Sequence, residues 1–181
     1  MAAEIAARLD APLDLILVRK IGAPMQPELA MGAVVDCAAP IVVRNEDVIR
    51  FAGVTAAQFE AAREGELAEI ERRRALHLGT RARARIEGDP AIVVDDGVAT
   101  GATIKAALRA IRNRKPKELL LAIPVAPPAL IDELRREVDA LICLGAPEPF
   151  LAVGAGYEDF RQVSDKEVIE ILARFPAQRG T

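Results

Sequence analysis

Residues 91–103 read AIVVDDGVATGAT. A short apolar run delivers two adjacent aspartates, Asp95 and Asp96, into a turn made of Gly, Ala and Thr. Two carboxylates side by side at a strand end repel each other, so the pattern implies a compensating group from outside the chain. Behind them, Ala99, Thr100, Gly101, Ala102 and Thr103 gather backbone N–H groups, two hydroxyls and the start of a helix at one place. Amides and helix macrodipole both favour an anion there, and a phosphate suits the concavity. Gly97 and Gly101 permit close backbone approach. The carboxylates, set one step back, suit hydroxyl groups or water on a divalent cation. A phosphate, vicinal hydroxyls and a metal-associated anion in sequence would use every part of the loop. That describes a phosphorylated ribose.

Two other readings share these letters. One is a strand-to-helix turn that is merely acidic and glycine-containing; the joint occurrence of apolar run, acidic pair and TGxT loop, in that order, weighs against it. The other is the acidic pocket of a receiver domain, which places its aspartates near the N-terminus with no TGxT behind them. The pattern G-x-x-x-x-G-K-[ST] is absent, which argues against a nucleoside triphosphatase.

The elements that must hold the loop follow from apolar periodicity and breakers. PAIVV (90–94) is predicted as a strand, TIKAALRAIRNR (103–114) as an amphipathic helix, ELLLAIPV (118–125) as a strand, PPALIDELRREV (127–138) as a helix and ALICL (140–144) as a strand. Strands alternating with helices predict a parallel sheet flanked by helices, with ligands at the strands' carboxyl ends. Upstream, MAAEIAARLD reads as helix, LDLILV (13–18) as a buried strand, and 31–53 as a hairpin or meander on one flank. Thr55 opens a long charged helix to about Leu78, and Ser164 with Glu167 forms a capping box for 163–175. The whole, 1–181, reads as one α/β domain without repeats or linkers.

Composition narrows the function. Apolar residues make up 51% and charged residues 28%, which excludes disorder, and a net charge of −3 offers no footprint for nucleic acid or an anionic membrane. Five Phe and one Tyr leave no stacking platform for single strands. Cys37 and Cys143 stand far apart with a single His, so zinc is not expected and a reducing cytoplasm is. No apolar run reaches the roughly 18 residues of a membrane span.

The stretch AIVVDDGVATGAT resembles the thirteen-residue phosphoribosyl pyrophosphate (PRPP) motif of type I phosphoribosyltransferases. LDLILVRKIGAPMQPELAMGAV and EPFLAVGAGYEDFRQVSDKEV are similar to the second strand and C-terminal portion of a bacterial branch whose substrates are largely unassigned. The resemblance implies that 99–103 cradle the ribose 5-phosphate, that Asp95 and Asp96 face the ribose hydroxyls and organise Mg2+-bound water, and that Lys20 lies near the pyrophosphate. It places base-side candidates at Phe150, Val153 and Tyr157, and sets the basic stretch 72–85 where the family has its flexible catalytic loop. His77 in that stretch is expected at the surface. The implied partners are PRPP and a small nitrogen-base acceptor, with a homodimer allowed. TGAT stands where many members have TGGT, a change of one methyl group.

The family pattern departs at the start: members carry a strand and a pyrophosphate loop ahead of the helix matching AAEIAARLD. These 181 residues begin within that helix, so the reading expects the loop to be missing and transfer by this chain to be poor. Truncation, a strand supplied by a partner, and a degenerate member that binds without turnover are the three explanations. Two functions therefore stand: a Mg2+-dependent phosphoribosyltransferase, and a non-catalytic module that binds PRPP or a nucleotide.

Overall fold

In the computed structural model, residues 1–36 and 40–175 are described, so Cys37 falls outside. The first half runs α1 (Ala2–Leu9), β1 (Val18–Ala23), β2 (Gln26–Val35), β3 (Ile41–Arg44), α2 (Glu46–Phe51) and α3 (Ala56–His77). The second runs β4 (Pro90–Val94), α4 (Ala102–Arg112), β5 (Glu118–Val125), α5 (Pro128–Arg135) and β6 (Ala140–Gly145). A 3-10 turn (Val153–Gly156) and α6 (Asp165–Ala173) follow. Strands β4, β5 and β6 form a parallel sheet in that order, with Val93 opposite Leu121 and Leu121 opposite Leu141. Strands β1, β2 and β3 form a separate antiparallel sheet. The predicted class holds: α/β, a parallel sheet with flanking helices and an antiparallel hairpin flank.

Helix α4 fixes the two sheets to each other. Ile104, Leu108 and Ile111 join Leu119, Leu121, Ile123, Leu130 and Leu134 in the core under the parallel sheet. On another stripe, the small side chains of Ala106 and Ala110 let Ala33 and Val35 of β2 approach. Burying such side chains contributes roughly 1.5–3 kcal/mol each for the larger ones. The helix that begins at the TGAT loop is therefore anchored on two sides, and its N-terminus has a fixed position. Helix α3 covers the antiparallel sheet with Phe59 and Ile70, and a capping box starts it: Gln58 N donates to Thr55 Oγ1 at 3.3 Å and Thr55 N to Gln58 Oε1 at 2.9 Å.

The parallel sheet is asymmetric. Residues of β5 alternate between buried and half-buried, the buried ones facing α4 and α5. On the opposite face Ile92, Ile142 and Leu144 are 38%, 52% and 83% exposed. Parallel sheets ordinarily have both faces covered. Among the described residues β4 pairs only with β5. No helix among them is long and apolar enough to cross a membrane.

Three expectations change. LDLILV is not a strand: pairing starts at Val18 and belongs to the antiparallel sheet, while 11–17 join no ladder. Ile16 and Leu17 still pack into the cores, because an apolar run reports burial while a strand also needs a neighbour for its N–H and C=O groups. The flank 31–53 is only partly a meander, since 46–51 is helical. Asn45 caps that helix by accepting from Val48 N at 3.3 Å, and Glu46 and Asp47 suit its first turn. His77 is not at the surface. Its side chain is 8% exposed, with Nε2 2.8 Å from Asp165 Oδ1, so it ties the end of α3 to the start of α6.

Candidate active site

The acidic turn is stitched to β5 at both ends. Asp95 N donates to Ala122 O at 3.3 Å, one residue beyond β4, and Val98 N donates to Val125 O at 3.0 Å. Between them Asp96 N donates to the Asp95 carboxylate at 2.9 Å. Gly97 has φ 151°, and a Cβ there would lie 2.6 Å from Val153 Cγ1 and 2.9 Å from Val125 Cγ1. Gly101 has φ 79° as the N-cap of α4, where a Cβ would meet Leu130 Cδ1 at 2.8 Å. Glycine is required at both positions, by backbone angle and by space.

Helix α4 starts with no side-chain cap. Its first intrahelical bond runs from Lys105 N to Gly101 O at 2.9 Å, leaving the N–H groups of the first turn without intrahelical partners. Thr100, Ala102 and Thr103 stand exposed around that positive end. The loop can take an anion without displacing any protein group that caps the helix.

The carboxylates carry the opposite charge with no protein cation against them: Asp95 and Asp96 form no ion pair among the described residues. Burial pushes the Asp95 carboxyl above the usual carboxylate range, the Asp96 amide holds it back, and the Asp96 charge raises it further. Among the described residues no group of three or more His, Cys, Asp or Glu could enclose a metal. A pair of carboxylates without a cation suits Mg2+, which keeps several waters and is commonly held by one or two carboxylates together with substrate phosphates.

The sequence-predicted residues divide. Asp95, Asp96 and 99–103 are brought together by the β4–α4 turn, and Val153 and Tyr157 join them from the C-terminal segment. Val153 packs beneath Gly97. The Tyr157 hydroxyl donates to the backbone carbonyl of Asp96, and its ring centroid lies 4.9 Å from that of Phe160. Burial raises the Tyr157 phenol above its ordinary range, and the charges of Asp96 and Asp95 add to this. Phe150 is partly buried and takes no part in that stack. Lys20 lies on β1, where its Nζ is 3.1 Å from Glu28 Oε2 on the neighbouring strand.

The basic stretch 72–85 works as a set of ties. Arg72 and Arg73 both bond Glu69 at 2.7 Å, and together they hold its carboxyl down at about 2. Arg81 donates to Leu172 O at 2.7 Å and Leu13 O at 2.8 Å, joining α6 to the segment before β1. Arg83 pairs with Asp36, which is 3% exposed at the end of β2. Lys105 is a site neighbour that sequence reading overlooks: its Cε would lie 3.5 Å from a Cβ at Gly101, and its ammonium pairs with Glu133 of α5. A signal existed, because a lysine in the first turn of a helix opposes the macrodipole and needs a reason.

The chain is similar to known proteins along most of its length. A family model described as "Phosphoribosyl transferase domain" matches residues 1–144, which include the acidic turn, the antiparallel sheet and all but the last residue of the parallel sheet. Two Mycobacterium tuberculosis proteins, from strains CDC 1551 / Oshkosh and ATCC 25618 / H37Rv and named provisionally as phosphoribosyl transferases, are each 41% identical over 174 residues. The match covers 96% of this chain and 39% of each relative, so the chain spans about two fifths of their length. A crystal structure of a Thermus thermophilus protein is 34% identical with a TM-score of 0.69, covering 96% of this chain and 81% of that one.

Proposed function

This chain belongs to the phosphoribosyl transferase domain family, and we propose that it is a Mg2+-dependent phosphoribosyltransferase acting on PRPP and a nucleobase-like acceptor. The observation that carries this reading is the acidic pair, which meets no cation among the described residues, standing directly ahead of a helix start without a side-chain cap. One end of the turn attracts cations and hydroxyl groups, the other a phosphate. Few ligands satisfy both within one short turn.

In this reading the amides of 99–103 and the hydroxyls of Thr100 and Thr103 hold the 5-phosphate. The Asp95 and Asp96 carboxylates accept from the ribose hydroxyls. A nitrogen lone pair of the acceptor then forms the bond to C1 while the C1–O bond to pyrophosphate breaks, the electron pair leaving with pyrophosphate. Positive charge develops on the ribose ring during that exchange, and two fixed carboxylates stabilise it. Bound Mg2+, held through water by Asp95 and Asp96, would neutralise the charge of the leaving group. No covalent nucleophile is needed; the chain contributes positioning and electrostatics. The reaction belongs to nucleotide metabolism in the cytoplasm.

One observation favours a second reading. Lys20, the pyrophosphate-side candidate, is already paired with Glu28 on the hairpin, as suits a module that binds PRPP or a nucleotide without turning it over. Calorimetry with PRPP and Mg2+, followed by a screen of bases for pyrophosphate release, separates the two. Binding with release on addition of a base supports the transferase; binding with no release for any base supports the second reading. Absence of binding would overturn both.

A further inference from the structure

A residue 61 positions downstream holds the acidic turn from outside, through the hydrogen bond from the Tyr157 hydroxyl to the Asp96 carbonyl. We propose that residues 153–160 form a clasp that sets the direction of the Asp95–Asp96 pair, with Tyr157 the positioning residue for Asp96. The functional part of this inference rests on the phosphoribose reading of the turn.

Three contacts build the clasp. Val153 Cγ1 lies 2.6 Å from where a Cβ at Gly97 would be, Gly156 packs on Val125 of β5, and Tyr157 bonds the Asp96 carbonyl. The segment is also closed on itself. Phe160 backs the Tyr157 ring at 4.9 Å and seats against Gly154, where a Cβ would meet its ring at 2.9 Å. Within the turn, no backbone N–H among the described residues donates to the Asp96 carbonyl. The next residue is Gly97 with φ 151°, whose torsions are soft because it lacks a Cβ. With that carbonyl unrestrained, the Asp96 ψ and the Gly97 torsions could change together, and the path of the turn that carries both aspartates would change with them. The phenol hydroxyl is the group that fixes that peptide. Tyr157 thus acts through Asp96 rather than on the ligand.

Tyr157 is the only tyrosine, and the chain has no tryptophan, so one native chromophore reports on the clasp. Tyr157→Phe keeps the ring stack and removes only the hydroxyl. Calorimetry with Mg2+ and PRPP on this variant should show affinity weakened roughly two- to tenfold, the range of one lost hydrogen bond. A purely structural role would lower the unfolding midpoint and leave affinity, measured well below that midpoint, unchanged; that result overturns the proposal. Emission of that single tyrosine, measured without ligand and with far-UV dichroism confirming the folded chain, supplies an independent arm. A phenol that donates to a peptide carbonyl is quenched, so Gly97→Ala, which pushes a methyl group against Val153 Cγ1, should change the emission of the folded chain. Emission identical in wild type and Gly97→Ala would overturn the clasp. If wild type binds no PRPP but Gly97→Ala still changes the emission, the phosphoribose reading fails and the clasp stands.

Discussion

Asp36 and Asp95 each follow a run of mostly apolar residues at the carboxyl end of a strand, one after β2 and one after β4. Asp36 is sealed in, with Arg83 Nη1 donating to its carbonyl at 3.2 Å and Nη2 to its carboxylate. Asp95 is only partly buried, faces a second carboxylate, and meets no cation among the described residues. The first has its countercharge from within the chain and ties β2 to the connection before β4. The second has an unmet charge and an open turn beside it. Similar local sequence thus yields a structural tie in one place and the proposed binding site in the other, and the difference is the cation.

Removing that cation should have the largest effect. Arg83→Ala leaves the Asp36 carboxylate buried with its strongest partner gone, and urea unfolding should show a loss of about 3–5 kcal/mol. PRPP affinity of the folded fraction should stay unchanged. The mirror experiment acts on the open site. Thr100→Ala should weaken Mg2+–PRPP binding roughly 10- to 100-fold, as about 1.5–3 kcal/mol for a hydrogen bond to a charged group requires, while leaving the urea midpoint in place. Asp96→Asn should also lose binding without losing stability. If Thr100→Ala destabilises the fold and binds normally, the contrast between the two aspartates collapses.

A smaller effect is expected from Gly97→Ala, which places a methyl group against Val153 and Val125 and keeps a backbone angle disfavoured for alanine. It should cost about 1–2 kcal/mol in thermal or urea unfolding. It should also loosen the clasp, seen as a changed tyrosine emission. The smallest effect concerns Asp95 itself. Because burial raises its folded pKa, the ionised form is penalised in the native state, and stability is lost as pH rises through the unfolded value of about 3.9 and then the folded one. Asp95→Asn should therefore melt at or above the wild-type temperature at neutral pH, and the gap should close below the unfolded value. A variant that melts lower at neutral pH would show that the Asp95 charge is met from within the chain after all.

Much of this was legible along the chain. The acidic pair, the TGAT loop, Gly97 and Gly101 are contiguous, and their geometry follows from turn and helix-start rules that act over a few residues. Thr55 caps its helix and Ser164 with Glu167 forms a capping box, as the letters predict. Strands β4, β5 and β6 fall within about a residue of their predicted bounds, because apolar runs between breakers report burial reliably. Where a run had no pairing partner, as at 13–17, the same signal marked a packed segment and not a strand.

The sequence by itself determined the acidic turn and the elements on either side of it, since capping, periodicity and backbone freedom are local properties. Only the tertiary structure decided which charges are met. It paired Asp36 with Arg83 across 47 positions and Lys105 with Glu133 across 28, tied Lys20 to Glu28, and buried His77 against Asp165. It also brought Tyr157 to the Asp96 carbonyl. Whether a carboxylate is a tie or a site depends on what stands within a few ångströms of it. That distance is set by how α4 packs between two sheets, not by the residues next to it in the chain.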